Sequence, residues 1–422
     1  MDYGEAVGFL NSFTKAGAPV GDLSRFRRLC GRLGDPQERL SFLHVAGTNG
    51  KGSACAYLDG ALRAAGLKTG CFTSPYLVEL RERIRLDGEM IGEADFAEAM
   101  SRVKEAADSP ELSQFELLTA AAFLFYDRVR ADAVVLETGI GGLYDCTALV
   151  KPEISVITRI DYDHCAILGR TLPEIAAHKA GIIKPGVPAV SSPDQAPEAL
   201  AVLKKRAAEI AAPFVEADGA ALKITKNTLY GTEFLYREKR FTTKMGGAHQ
   251  PENAAAAIEA LRLMKIPERA IEAGLAAVLP ARMQVYSQNP LIVVDGGHNP
   301  SGTAAAAALL DAAGLRPRMV IGTLGSKDWE KALPPLLAAA DDVIFTDSFS
   351  PVAVPAETLS SFAKGLGVSA RAIPDTDRAL YTALAAVRRE APSPKKEDGV
   401  FIGGSLYLAG YALGKFASRS IG

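Results

Sequence analysis

The sequence predicts an α/β chain: an N-terminal parallel-sheet domain with a small antiparallel insertion, then a C-terminal doubly wound domain. Three observations carry this. Short apolar runs ending in turn residues alternate with stretches of helical spacing. One stretch between residues 225 and 247 alternates apolar and polar residues instead. A second α/β series then begins near Leu291.

The elements follow in order. The opening 40 residues read as helices joined by turns. "FLHVAG" (42–47) is an apolar run entering a tight turn, hence a strand. "SACAYLDGALRAAG" (53–66) has helical spacing, with Gly66 as its C-cap. "KTGCFTSP" (68–75) reads as the next strand. "FELLTAAAFLFYDRV" (115–129) is a strong helix, and "ADAVVLETG" (131–139) and "EISVITRI" (153–160) are buried strands. Strands alternating with helices imply a parallel sheet covered on both faces. "TKNTLYGTEFLYREKRFTTKMGG" (225–247) predicts an antiparallel hairpin region. "LIVVDGG", "RMVIGTLG", "DVIFTDS" and "VFIGG" are the strands of the second series. We set the boundary in "SQNP" (287–290), giving domains 1–286 and 287–422.

Composition narrows the function classes. Of 422 residues, 48% are hydrophobic, enough for two real cores, and the formal net charge is −2. That balance offers no bulk attraction to nucleic acid or an anionic membrane. Cys30, Cys55, Cys71, Cys146 and Cys165 are scattered, without a C-x-x-C pair, as expected of reduced thiols in a cytoplasmic protein. "MDYGEAVGFL" lacks a basic region before an apolar core, so a secretory signal is not expected. No run approaches the roughly 20 apolar residues of a membrane helix.

Four stretches carry chemistry. "HVAGTNGKGS" (44–53) departs from the G-x-x-x-x-G-K-[ST] phosphate loop, because Val45 replaces the first Gly and Gly52 separates Lys51 from Ser53. Strand, Gly47, Thr48, Asn49, Gly50, Lys51, Gly52, Ser53, then helix is still the arrangement that presents backbone N–H groups to phosphate. Lys51 reaches the terminal phosphates; Ser53 either caps the helix or touches a metal. In "LETGIGG" (136–142), Glu137 ends a strand, where a carboxylate faces a ligand crevice and suits Mg2+ or is simply solvated. In "RIDYDHCAILGRTLPEIAAHKAGIIKPG" (159–186), Asp161, Asp163 and His164 follow a strand and Lys179 lies on a helix. Alone, His164 reads as a turn histidine and Lys179 as a solvated one; the neighbouring loop gives them a role. In "VVDGGHNPSG" (293–302), a strand-turn-helix with Asn299 as cap and Pro300 at the first helical position explains the "NP". It leaves Asp295 and His298 to be explained.

Taken in order, "HVAGTNGKGS", "FTSPYL", "ERIRLDG", "FELLTAAAF", "LETGIGG", "DYDHCAILGRTLPEIAAHKAGIIKPG", "HQPENAAAA", "PARMQV", "DGGHNPSG" and "GSLYLAG" resemble the folylpolyglutamate synthase and dihydrofolate synthase family, within the wider Mur-ligase-like amide-forming enzymes. The resemblance runs from about residue 40 to the C-terminus. It implies an N-terminal P-loop domain and a C-terminal Rossmann-like domain, with the active site in the cleft between them. It implies ATP on residues 47–53, with Asn253 and Arg282 as further nucleotide contacts. Ser74, Glu137 and His164 match ligands of two Mg2+ ions, and Lys179 matches the family's carbamylated lysine; a monovalent cation joins the implied cofactors. Asp295 and His298 match residues that close on ATP and the incoming glutamate. Lys51, Lys179, Asp295 and His298 are thereby the catalytic candidates. The implied partners are small molecules only (folate or dihydropteroate, L-glutamate and ATP), acting on a cytoplasmic monomer.

The resemblance has gaps. The family pattern "GGRxDATN" becomes Gly141, Gly142, Leu143, Tyr144, Asp145, Cys146, Thr147, Ala148, so Leu143 replaces Arg and Ala148 replaces Asn. His178 replaces the Glu of "EKAGI". Competing readings are another Mur-like amino-acid ligase, a nucleotide-regulated switch and a non-catalytic nucleotide-binding homologue. "TSPYL" followed by "ERIRLDG" favours the folate branch. "GSKDW" at Gly325 is a poor guanine-reading motif, and retained Lys51, Glu137, His164 and Lys179 argue for catalysis.

Overall fold

The computed structural model describes residues 1–14, 22–389 and 399–418. Its contacts divide them into two compact units. The first comprises Met1–Leu222, Tyr236–Glu238 and Glu252–Ala277; the second comprises Lys223–Leu235, Lys239–Pro251 and Val278–Gly422.

The first unit is built on eight strands: β1 (Phe42–Ala46), β2 (Thr69–Phe72), β3 (Ile84–Leu86), β4 (Glu89–Met90), β5 (Ala133–Glu137), β6 (Ile154–Ile157), β7 (Ala189–Ser191) and β8 (Phe214–Glu216). Their order is β4-β3-β2-β5-β1-β6-β7-β8. The run from β2 to β8 is parallel, and β3 and β4 add an antiparallel edge. β1, β2, β5 and β6 are buried along their whole length, which is why they read as unbroken apolar runs. The order has a direct consequence for function. The carboxyl ends of β2, β5, β1 and β6 lie side by side, so the segments leaving them at Ser74, Glu137, Gly47 and Asp161 share one edge of the sheet.

Helices cover this sheet. Gln114–Val129 starts in a capping box, with Ser113 and Glu116 as its two partners. The Glu116 carboxylate also accepts a two-pronged, buried contact from Arg25 at 2.8 and 2.9 Å. One apolar cluster gathers Phe26, Phe42, Phe72, Phe96 and Phe123. Another gathers Ile157, Ile175, Ile182 and Leu203. The helix Lys51–Ala64 ends as expected, with Gly66 left-handed at φ 87° just past the cap.

The 225–247 stretch forms a three-stranded sheet of β9 (Leu222–Thr228), β10 (Gly231–Tyr236) and β11 (Lys239–Thr243), in the order β11-β10-β9. The second unit's main sheet holds β12 (Gln284–Gln288), β13 (Leu291–Val294), β14 (Arg318–Ile321), β15 (Val343–Phe345), β16 (Ala370–Ala372) and β17 (Gly399–Gly403). Its order is β12-β13-β17-β14-β15-β16, parallel from β13 onward. β12 pairs antiparallel to β13, so Ser287 and Gln288 are strand residues and "SQNP" closes a hairpin. The compact unit accordingly takes in the residues from Val278, because a hairpin's two strands share their hydrogen bonds. Among the described residues, no helix is long and apolar enough to cross a membrane. All five cysteines are free thiols, four of them buried.

Candidate functional site

The loop after β1 is shaped by its glycines. Gly47 has φ 157°, and a Cβ there would fall 1.9 Å from Thr158 Oγ1. Gly50 has φ 88°, and a Cβ there would fall 2.0 Å from Asn253 Oδ1, so the Asn253 amide lies directly on the loop. The front of the loop is tied to the exit of β6. Thr48 and Asn49 donate their amides to the Arg159 carbonyl at 2.9 and 3.2 Å. The Thr48 hydroxyl donates to the Asp161 carbonyl at 2.9 Å and accepts from the Asp161 amide at 3.0 Å.

The rear of the loop is different. The helix Lys51–Ala64 takes Gly50, not Ser53, as its N-cap, and no side chain caps it. Ser53 lies buried inside the first turn. The first-turn amides therefore keep their anion-binding capacity. Two lysines converge on the loop's carbonyls. Lys51 Nζ donates to the carbonyls of Gly47 and Thr48 at 3.1 and 3.3 Å, and Lys179 Nζ donates to Gly47 at 2.8 Å.

Glu137 ends β5 directly beside β1, in register with Val45. Only 3% exposed, it accepts the Ser74 amide at 3.0 Å, which couples the ends of β2 and β5. The adjacent Thr138 hydroxyl is buried without a hydrogen-bond partner. A buried carboxylate, a serine and an unsatisfied hydroxyl beside this glycine-rich loop are hard oxygen donors. They fit Mg2+, which takes one or two protein oxygens and completes its shell with phosphate and water. Among the described residues, no group of three or more His, Cys, Asp or Glu is arranged as a metal cage.

The turn after Glu137 is held from behind. Asp145, fully buried, accepts the amides of Gly139, Ile140 and Thr147 and the Thr147 hydroxyl at 2.6–3.0 Å. Burial raises its carboxyl above the usual range, and those hydrogen bonds pull the other way. Thr147 Oγ1 also meets His44 Nε2 at 2.9 Å. Burial pushes His44 down to about 3, helped by the charge of Lys184, so this imidazole is neutral. Sequence reasoning quoted His44 only as the first letter of the loop. A histidine inside an otherwise apolar strand was the available signal.

Lys179 ends the helix Leu172–Lys179 and is 3% exposed. Burial, reinforced by Lys51, pushes its ammonium well below the usual lysine range, against the pull of Asp163 and Asp145. His164, left-handed at φ 51°, opens the short helix Cys165–Leu168 and is exposed, with Nε2 3.8 Å from Asp163. The departures at Leu143 and His178 meet. The Leu143 amide donates to the His178 carbonyl at 2.7 Å, and the Tyr144 ring meets the His178 ring edge-on with centroids 6.0 Å apart. Ala148 is buried, and its carbonyl accepts Lys184 Nζ at 2.8 Å.

In the second unit, Asp295 follows β13 and is nearly buried. Its two oxygens accept the amides of Met283 and Gly297, each at 2.8 Å. This ties the segment carrying Arg282 to the turn carrying His298, whose Nδ1 lies 2.9 Å from the Gly296 carbonyl. Asn299 caps the helix Pro300–Ala312 through the Gly302 amide at 2.9 Å. His249 is half-buried near this group; desolvation lowers its pKa, while Asp295 raises it and Arg282 lowers it. Ser74, Glu137, residues 47–53, Asn253, His164 and Lys179 thus belong to the first unit, and Arg282, Asp295 and His298 to the second.

Comparison with known proteins finds two family matches along the chain. The Mur ligase middle domain matches residues 45–261, and the Mur ligase glutamate ligase domain matches residues 281–406. The chain is 33% identical over 432 residues to folylpolyglutamate synthase of Lacticaseibacillus casei, covering 97% of both chains. It is 35% identical over 365 residues to dihydrofolate synthase/folylpolyglutamate synthase of Bacillus subtilis, covering 81% of this chain and 84% of the relative. Its fold matches Escherichia coli FolC in complex with DHPP and ADP, with a TM-score of 0.86 at 28% identity, covering 100% of this chain and 99% of that one. The chain belongs to the folylpolyglutamate synthase/dihydrofolate synthase family of Mur ligases.

Proposed function

We propose that this protein is an ATP-dependent ligase that adds L-glutamate to a folate, to dihydropteroate, or to both, through an acyl phosphate. The observation that carries the reading is the loop of residues 47–53. Its helix lacks a side-chain cap, and Lys51 and Lys179 both turn toward the Gly47 carbonyl beside buried Glu137, which accepts the Ser74 amide.

The chemistry follows from joining two anions. The acceptor carboxylate attacks the terminal phosphorus of ATP; the new O–P bond forms as the bond to ADP breaks. The glutamate amine then attacks the acyl carbon, a C–N bond forms, phosphate leaves and one proton is lost. Lys51 leaves its loop carbonyls for the phosphate chain, and the first-turn amides take the oxygens whose charge grows. Asn253 steadies the loop at Gly50 and reaches the nucleotide. Ser74, Glu137, His164 and Lys179 are the residues that would hold Mg2+, which would neutralise phosphate charge.

Lys179 fills that role as a carbamate. Burial favours its neutral amine, which attacks CO2 and loses a proton, turning a cation into an oxygen-donor anion. Arg282, Asp295 and His298 are assigned to ATP and glutamate, with Asp295 acting through the backbone it fixes. The division into 1–286 and 287–422, the monomeric state and a cytoplasmic location belong to the same reading.

The test is incubation of the full chain with ATP, Mg2+ and L-glutamate against dihydropteroate and tetrahydrofolate separately, with products read by mass. The expected result is a gain of one glutamyl residue on at least one acceptor. No glutamyl product on either overturns the proposal. A second arm supplies 13C-bicarbonate and expects a carbamate carbon signal that Lys179→Ala abolishes.

A further inference from the structure

The stretch "ERIRLDG" was singled out in the sequence, and nothing above gives it a task. It lies on the side of Glu137 away from the phosphate loop. β3 pairs antiparallel to β2, with Ile84 opposite Phe72. The Arg83 carbonyl accepts the Thr73 amide at 3.1 Å. Arg83 is therefore fixed one residue from Ser74, at the carboxyl edge of the sheet.

Its guanidinium is held by rings. Arg83 Cζ lies 5.4 Å from the centroid of Tyr76 and 6.0 Å from that of Phe115. Phe115 in turn packs beside Gly139, where a Cβ would come within 2.8 Å of the ring. The segment around Arg83 is rigid. Glu82 accepts the amides of Leu77, Val78 and Glu79 at 2.8–2.9 Å, closing the turn that carries Tyr76. Arg81, two residues away, pairs with Glu79 and Glu93.

We infer that Arg83 receives the carboxylate of the acceptor and holds it for phosphoryl transfer. This rests on the ligase reading above. Two anions must meet at the Ser74–Glu137 corner. Lys51 stands on the phosphate side of that corner, so the approaching carboxylate needs a cation on the other. Arg83 is there, its charge partly desolvated by two aromatic faces, which strengthens its hold on an anion. A planar fork also orients a carboxylate through two parallel hydrogen bonds, leaving it aimed at one phosphorus. The ligand class is a carboxylate on an aromatic acyl group or on a glutamyl tail.

The test measures KM and kcat for acceptor, ATP and L-glutamate separately in the wild-type chain, Arg83→Gln and Arg83→Lys. For Arg83→Gln, kcat/KM for the acceptor is expected to fall about 30- to 100-fold, with KM for ATP and glutamate within about twofold. Arg83→Lys should recover less than about tenfold of the loss, because a point charge does not reproduce the fork. Unchanged acceptor kinetics in Arg83→Gln, or equal losses toward acceptor and ATP with a lowered melting temperature, overturn the inference. Should Arg83→Gln fail to fold, Tyr76→Leu replaces a partly exposed ring. An about fivefold rise in acceptor KM alone supports the inference, and no rise overturns it. Wild-type turnover separates the two failures: no glutamyl product sinks the ligase reading, whereas normal wild-type turnover with an indifferent Arg83 sinks only this one.

Discussion

Two strand-turn-helix segments in this chain look alike and are finished in opposite ways. β1 runs through 47–50 into the helix Lys51–Ala64; β13 runs through Asp295–Asn299 into the helix Pro300–Ala312. At the first, the N-cap is a left-handed glycine with no side-chain hydrogen bond. At the second, Asn299 takes the Gly302 amide, and Pro300 has no amide to offer. The acidic residues differ as well. Glu137, beside the first turn, accepts the Ser74 amide at 3.0 Å, and the neighbouring Thr138 hydroxyl is unsatisfied. Asp295 spends each of its oxygens on a backbone amide. The first helix start has no side-chain cap, whereas the second spends its own side chains on fixing a loop. An uncapped start leaves first-turn amides able to meet an anion.

The comparison breaks most visibly at Lys51. Lys51→Ala is expected to lower turnover by about 10³-fold or more while the melting temperature stays within a few degrees, measured by phosphate release and thermal unfolding. A variant retaining a tenth of wild-type activity would remove the distinction between the two turns.

A pH experiment probes what holds the first turn. His44 has a folded pKa of about 3 against an ordinary 6.5. Between those values the unfolded chain binds more protons, so stability falls as pH drops through that window. The expected loss is roughly 3 kcal/mol by pH 4 relative to pH 7, and His44→Gln should flatten that slope. Denaturant midpoints at the two pH values measure it; identical slopes in both proteins would refute the assignment.

The smallest effect belongs to the second turn. Asn299→Ala should cost about 1 kcal/mol of stability, the usual worth of an N-cap, with KM for ATP unchanged. A raised KM for ATP would mean that this cap also serves the nucleotide.

Much of this was legible in the residues. The strands of the central sheet are continuous apolar runs, so period and length marked β1, β5, β6, β13 and β17 without help. The Asn299-Pro300 cap is local chemistry and was readable as such. Other features were not. β7, β8 and β16 are three residues each, too short for any periodicity. "SQNP" carries turn residues that suit a linker and a hairpin equally, and only the partner strand distinguishes them.

The sequence by itself determined that a glycine-rich strand-to-helix loop, a strand-end glutamate and a helical lysine belong to one chain, because glycine spacing and apolar runs are local properties. Only the tertiary structure decided which of these meet. The order β2-β5-β1-β6 sets Ser74 on Glu137, brings Lys179 to Gly47 across 132 residues, and leaves Gly50 rather than Ser53 at the helix start. The physical reason is that burial and hydrogen-bond partnership depend on neighbours in space. A lysine becomes a poor cation, and a threonine an unsatisfied hydroxyl, only once the sheet has closed around them.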